Sequence, residues 1–321
     1  MKYNPTTSDD PVIQQVRLNF RIDIRVSWVF LQLAATGVAT VYSTDVILSA
    51  LMCAPRSVYP WDIVITREGD KLFLDKRDGG PFDTVTVNEN AVDPPQDPAP
   101  QNLNNLAEKA VPETPSINSA TSLSLEATYI NQNFGFQTVV ENGSPPAVEF
   151  AHPNPFYGPD ETEPLASCGY RYRLFDIGIT EDEDLKVCVR TEADAYIPGQ
   201  NALEGQGLVT IRALNEFDPR AQGAAGAPDW RSKLDSQRGA VVATEMKNNG
   251  SKLAKWTVQS VLAGVDIMKI GYAFLFRMFI SVGHFSVKVS PWSMTSSGVS
   301  TFNFGGFIDI IVLMFTDVHV G

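Results

Sequence analysis

Cysteine is scarce in this chain. Cys53, Cys168 and Cys188 are odd in number and widely spaced, which gives neither a disulfide framework nor a zinc motif. They read as ordinary buried thiols in a reducing compartment. Histidine is as sparse. His152, His284 and His319 leave no Ser-His-Asp set to propose, and His152 beside Pro153 reads as a loop residue rather than a base. Positive charge is short as well: 25 Lys and Arg stand against 37 Asp and Glu, a net charge of −12. That balance excludes indiscriminate binding to phosphate backbones, which depends on basic surface, but it leaves room for a local basic groove. No apolar run suits a bilayer. Residues 33–54 carry Asp45 and several Ser and Thr, and Phe307–Phe315 is short and holds Asp309. A nucleotide-binding loop is missing too, since Gly223–Pro228 lacks the Lys-Ser/Thr that should follow. The polar N-terminus has early acids and no signal peptide, so the expected location is cytoplasmic, with no membrane partner.

What remains is a globular composition, 44% hydrophobic and 19% charged over 321 residues, enough for one large or two ordinary domains. Residues 16–32 alternate apolar and charged side chains like a strand, with Arg17, Arg21, Asp23 and Arg25 on one face. Residues 33–54 suggest a helix capped at Ser43 or Thr44, with Val46, Ile47, Ala50, Leu51 and Cys53 inward. Strands are expected at 57–66 and 71–77, joined by the Glu68-Gly69-Asp70 turn, and at 82–87. The Pro- and Asn-rich stretch 88–118 has no periodicity and reads as a long loop. A helix over 122–134, an irregular crossing over 144–164 and strands over 168–178, 184–193 and 207–214 follow. Glu181-Asp182-Glu183-Asp184 reads as a solvated turn in preference to a cation site.

The strongest periodic signal lies in 229–272. Val241, Val242 and Ala243 read as a buried strand edge, and Asn248-Asn249-Gly250-Ser251 as a turn and helix N-cap. Leu253, Trp256, Ser260, Val261 and Gly264 fall on one helical face, Lys252, Lys255 and Gln259 on another. Gly264 closes the helix, and Ile267–Tyr272 begins a further strand.

The string KLDSQRGAVVATEMKNNGSKLAKW, with LSLEATYINQNF, HPNPF and YRYR upstream, resembles the cap-binding domain of one subunit family of eukaryotic translation initiation factor 3, that of its D subunit. The likeness runs from about Thr6 to Tyr272, jumping from Gln15 to Leu33. It implies 1–15 as an N-terminal remnant, 33–272 as the cap-binding domain with 88–118 as a gate-like loop, and 273–321 as a divergent tail. The skipped segment 16–32 opens on Val16 and closes on Gln32, whose codons can begin with GT and end with AG. It reads as a retained intron or as a genuine strand-like insertion.

By this resemblance the expected fold is α+β: two packed mixed or antiparallel β-sheets with flanking helices, similar to the decapping exoribonuclease scaffold and cupped around an RNA cavity. Those enzymes hold metal ions with three carboxylate motifs. Here the first reads Gly169-Tyr170-Arg171-Tyr172-Arg173, ending in Arg instead of Glu. The second, Glu192-Ala193-Asp194, is intact, and the third reads Thr210-Ile211-Arg212. Metal-assisted hydrolysis needs clustered carboxylates, so the expectation is no enzyme, no catalytic residue, no metal and no cofactor. The same triplets also arise by chance in a β-rich chain. Glu245-Met246-Lys247 repeats the third pattern but reads as local structure.

A cap pocket needs stacking for the methylated guanine, an acid or amide for its edge and cations for its phosphates. The resemblance implies Asp45, Val58 and Tyr59 from one helix, and Thr128, Asn131 and Gln132 from another as cap contacts. The last three share a helix face by i, i+3, i+4 spacing. Gln132 stands where the family often has His, which loses ring stacking there. The bland alternative packs Tyr59 in the core and leaves Thr128 on a solvated face. RNA contacts are expected from Tyr170, Arg171, Tyr172, Arg173, Arg212, Arg238, Lys247, Lys252 and Lys255, which interleave aromatics with cations. Strand alternation allows only one Tyr/Arg pair to face the groove. The implied partners are the capped 5′ end of mRNA, other subunits of the initiation factor and the small ribosomal subunit. An active decapping or exonuclease enzyme, and a structural subunit with a vestigial cavity, stay open as alternatives.

Overall fold

The computed structural model describes residues 33–57, 60–77, 79–85, 120–139, 169–177, 184–199, 207–215, 226, 228–233, 236–276 and 279–288. Expectations for 1–32, 88–118, 144–164, 289–321, Val58 and Tyr59 lie outside these residues.

The first sheet grows from a short β-branched and aromatic strand. Strand β1 (Val41–Thr44) buries Tyr42 and Ser43 and runs directly into helix α1 (Asp45–Met52). Thr44 is extended at the helix N-cap and Asp45 occupies the first turn, where an acid meets the positive end of the helix dipole. Strands β2 (Val64–Glu68) and β3 (Lys71–Asp75) form an antiparallel hairpin, which Gly69 makes possible at φ 63°. Strands β4 (Gly169–Asp176) and β5 (Lys186–Ala193) complete a sheet of order β2-β3-β1-β5-β4. In it β1 lies parallel to β3 and β5, while the outer pairs are antiparallel. Tyr42 stacks on Phe73 at 5.2 Å between ring centroids, and both are buried.

The second sheet holds β6 (Ala195–Tyr196), β7 (Leu208–Asn215), β8 (Ile267–Phe276) and β9 (Phe279–Lys288) in that order. The parallel β7–β8 pair requires a crossover, and the helices between them are α3 (Trp230–Lys233), α4 (Arg238–Asn248) and α5 (Gly250–Ala263). Helix α2 (Ala120–Thr138) covers the face of β7 that carries Val209, Ile211 and Ala213, through Phe134. The opposite face carries Leu208 and Leu214, which pack with Val241, Leu253, Trp256 and Ala263 from α4 and α5. Phe134 lies so close to Gly271 on β8 that a Cβ there would overlap its ring.

The α+β architecture of two mixed sheets with flanking helices is therefore the one expected. Three local expectations are corrected. Residues 33–54 are not one helix, because β1 interrupts them and α1 begins at Asp45. Residues Pro81–Asp83 form a 3-10 turn rather than the start of a strand. Val241–Ala243 belong to α4, whose buried positions Val241, Glu245 and Asn248 fall at helical spacing. The block before β8 is thus helix–helix–strand. Strand β8 continues past Tyr272, and β9 pairs along it from Phe276↔Phe279 to Ile267↔Lys288. Residues 273–276 thus extend β8, and 279–288 form the strand beside it. No helix among the described residues is long and apolar enough to cross a membrane.

Candidate functional site

Where β5 ends and β7 passes it, five charged side chains gather. Asp45 is buried at the start of α1 and feels Arg212 and Arg190. Burial pushes its carboxyl up to about 6, although both arginines and the backbone N–H groups of Val46 and Glu192 favour the charged form. Glu192 is pushed up to about 8, first by burial and then by the charges of Asp45 and, after Arg212, Asp194. Asp194 is held most firmly: its Oδ2 accepts from Ile211 N at 2.6 Å and from Arg212 Nη1 at 2.8 Å. Arg190 is buried and stands over the Tyr170 ring at 5.1 Å. Arg212 pairs with Asp194 at 2.8 Å, and the charges of Arg190 and Arg212 act on both Asp45 and Glu192. Among the described residues no group of three or more His, Cys, Asp and Glu is arranged to hold a metal ion.

The strand β4 separates its tyrosines from its arginines by simple alternation. Arg171 Nη1 donates to Ala263 O at 2.9 Å, and Arg173 Nη1 to Leu262 O at 2.8 Å and Val261 O at 3.2 Å. Both cap the C-terminus of α5, where carbonyls lack helical partners and the dipole is negative. Burial and the neighbouring Arg171 push Arg173 below its usual value. Gly264 adopts φ 64° to end the helix, and a Cβ on it would meet Arg173 Nη1 at 2.8 Å. The other face presents Tyr170 opposite Glu192 and Tyr172 opposite Arg190, with Tyr172 packed against the Tyr42–Phe73 core. Thr210, the hydroxyl of the third motif, bonds Ser260 on α5 at 2.9 Å.

Helix α2 presents a second constellation. Thr128 is buried; its Oγ1 donates to Ser124 O and accepts from Val85 N, both at 2.7 Å. Asn131 is buried, and its Nδ2 donates to Ala213 O on β7 at 3.0 Å. Gln132 differs from both. Its Oε1 is buried without a hydrogen-bond partner among the described residues, as is Asn215 Oδ1 at the end of β7.

The basic strip is divided. Lys252 is buried with its Nζ 5.4 Å from the Trp256 ring centroid, and Lys255 is half-buried. Gln259 donates to Ser49 Oγ at 3.1 Å. Arg238 and Lys247 are exposed on α4.

A family model described as eukaryotic translation initiation factor 3 subunit 7 matches residues 1–274. The chain belongs to this family. Among curated relatives, the D subunit of eukaryotic translation initiation factor 3 from Mycosarcoma maydis is 54% identical over 273 residues, covering 85% of this chain and 43% of the relative. The D subunit from Coccidioides immitis is 53% identical over 272 residues, covering 84% and 41%. This initiation factor 3 chain thus spans less than half the length of these relatives. Among solved structures, S. pombe Rai1 in complex with 3′-FADP covers 90% of this chain and 69% of its own, at a TM-score of 0.39 and 12% identity. Candida albicans Rai1 in complex with pU5-Mn2+ covers 87% and 62%, at 0.38 and 12%.

The residues that the sequence singles out in this initiation factor 3 chain fall into separate places. Asp45 joins Arg212, Arg190, Glu192 and Asp194. Thr128, Asn131 and Gln132 lie on α2, against the face of β7 opposite to the one carrying Arg212. Arg171 and Arg173 share the face toward α5, and Tyr170 and Tyr172 the other. Reasoning from sequence misses Arg190 and Asn215. Asn215 carries one available signal: it is a polar residue two places after Ala213 on an otherwise apolar strand face.

Proposed function

We propose that this chain is the cap-binding part of an initiation factor 3 subunit, recognising the 7-methylguanosine cap of selected mRNAs in the cytoplasm together with other subunits and the small ribosomal subunit. Membership of the subunit 7 family over residues 1–274 supports the setting in translation initiation. The observation that carries the cap reading is Gln132. Thr128 and Asn131 spend their side chains anchoring α2, and the residue beside them keeps a buried acceptor open. Burying an unmatched polar atom costs about 1–3 kcal/mol, a cost a ligand donor would recover. Binding rather than hydrolysis is favoured by Arg212 occupying Asp194 and by Arg173 occupying the carbonyls of α5. The same engagement of Thr128 and Asn131 favours a structural role in the complex as the second reading.

The test is a calorimetric titration of the full chain with 7-methylguanosine triphosphate and, separately, GTP. The methylated nucleotide should bind about five- to thirtyfold more tightly, since its charge adds roughly 1–2 kcal/mol of cation–π attraction. Equal affinities would reject cap recognition, and absence of binding by both would leave the structural reading.

A further inference from the structure

Strand β2 ends the order β2-β3-β1-β5-β4, and among the described residues no strand pairs with its outer side. The two-residue turn Gly69-Asp70 closes on the pair Glu68↔Lys71, which exchanges hydrogen bonds. Bonded and non-bonded pairs alternate along an antiparallel ladder, so Arg67↔Leu72 and Ile65↔Leu74 are of the non-bonded kind. Leu72 N agrees, since it donates away from β2, to Thr40 O at 2.9 Å. The backbone N–H and C=O groups of Ile65 and Arg67 therefore point out from the sheet. The side chains beside them are not the run of charges or prolines that usually blunts such an edge. Ile65 is 60% exposed, Val64 41% and Leu72 36%. Ile65, Arg67, Leu72 and Leu74 share one face of the hairpin by register, and Arg67 is the only charge among them. Lys71, Lys76 and Arg77 each meet an acid. Arg67 is exposed, bonds Gly69 O at 2.9 Å and forms no ion pair among the described residues. A second copy is disfavoured as the occupant of this edge, because two chains of net charge −12 repel.

We propose that β2 is a docking edge for an extended segment of another protein chain, added as an antiparallel strand through Ile65 and Arg67. The segment lays an apolar side chain beside Ile65 and, two residues away, an acidic one beside Arg67. Main-chain bonds along the edge supply affinity, and these two side chains supply selectivity. Membership of a family of initiation factor subunits makes another subunit the source of the segment. This rests on the association with other subunits proposed above, not on cap recognition, and adds which strand carries it.

The experiment is hydrogen–deuterium exchange resolved to single amides, on the full chain alone and with the purified remaining subunits of initiation factor 3. In the chain alone, the Ile65 and Arg67 amides should exchange faster than that of Thr66, which is bonded across to Phe73. Adding the subunits should slow Ile65 and Arg67 by at least about tenfold and leave Thr66 unchanged. Ile65→Lys puts a charge where the partner's apolar side chain would rest, so it should weaken association by roughly ten- to a hundredfold. Its thermal midpoint should match the unmodified chain, because Ile65 is exposed. Association that leaves the Ile65 and Arg67 amides fast would overturn the docking edge while the partnership with other subunits stands. Absence of any association would overturn both. Slow exchange of these amides in the chain alone would also overturn it, because the edge is then covered by the chain itself or, where the slowing grows with concentration, by a second copy. None of these exchange outcomes depends on a variant folding.

Discussion

Glu192 holds its proton well above the ordinary carboxylate range, up to about 8, because burial and the charges of Asp45 and Asp194 outweigh the help of Arg212 and Arg190. In the unfolded chain it would release that proton near 4.3 or so. Between those values the folded protein binds more protons than the unfolded one, so stability falls as pH rises. Asp45 adds to the fall over a narrower window, up to about 6. The thermal midpoint should therefore decline from about pH 5 to about pH 8.5, and Glu192→Gln should flatten the decline while raising the midpoint at the alkaline end. Thermal melts of both proteins across that range check it, and an unchanged slope in the variant would remove Glu192 as the cause. At this scale the sequence is readable where a residue's role is backbone geometry. Gly264 is expected to close its helix and does, and of the two cap candidates Ser43 and Thr44 it is Thr44 that stands at the helix start. The roles of Arg190 and Asn215 depend on which side of a strand meets which neighbour, and that is decided by elements far away in sequence.

At the scale of elements, α5 is the helix on which both sheets converge, buried on most of its surface. Its negative end is closed by two arginines from β4, a strand some ninety residues earlier, as Arg171 to Ala263 illustrates. Hydrogen bonds from a charged donor contribute about 1.5–3 kcal/mol, partly offset here by repulsion between the two guanidiniums. Arg173→Leu should lower stability by about 2 kcal/mol in a denaturant titration. An unchanged midpoint would mean that Arg171 alone suffices to cap the helix. The alternation of YRYR announces that one pair faces one way, but not that the arginines are consumed by helix carbonyls. The strand reading at Val241–Ala243 fails for a related reason. A β-branched pair suggests a strand, while the inward residues of α4 include Glu245 and Asn248, whose polarity hides the helical period. Elsewhere the pattern suffices: the hairpin at Gly69 and the strands β4, β5 and β7 stand where alternation and turn chemistry put them.

Over the whole molecule, the two candidate surfaces lie on opposite faces of β7. One is a self-neutralising cluster of Asp45, Arg190, Glu192, Asp194 and Arg212. The other is helix α2, where Gln132 Oε1 is buried without a hydrogen-bond partner among the described residues. The first has settled its charges internally, and the second keeps an unmatched acceptor, which is why cap binding is proposed at α2. The two-sheet fold is implied by the family resemblance, while the strand and helix runs alone give only their order along the chain. The division of the site is not, since residues that resemble one pocket in a line of sequence can be parted by a single strand. The most direct measurement is photo-crosslinking of the full chain to an RNA bearing a photoreactive 7-methylguanosine cap, followed by mapping of the labelled peptide. Labelling within Ala120–Thr138 or Leu208–Asn215, lost on adding free 7-methylguanosine triphosphate, is the predicted result. Labelling that free cap nucleotide cannot displace, or that falls on α4 alone, would contradict it.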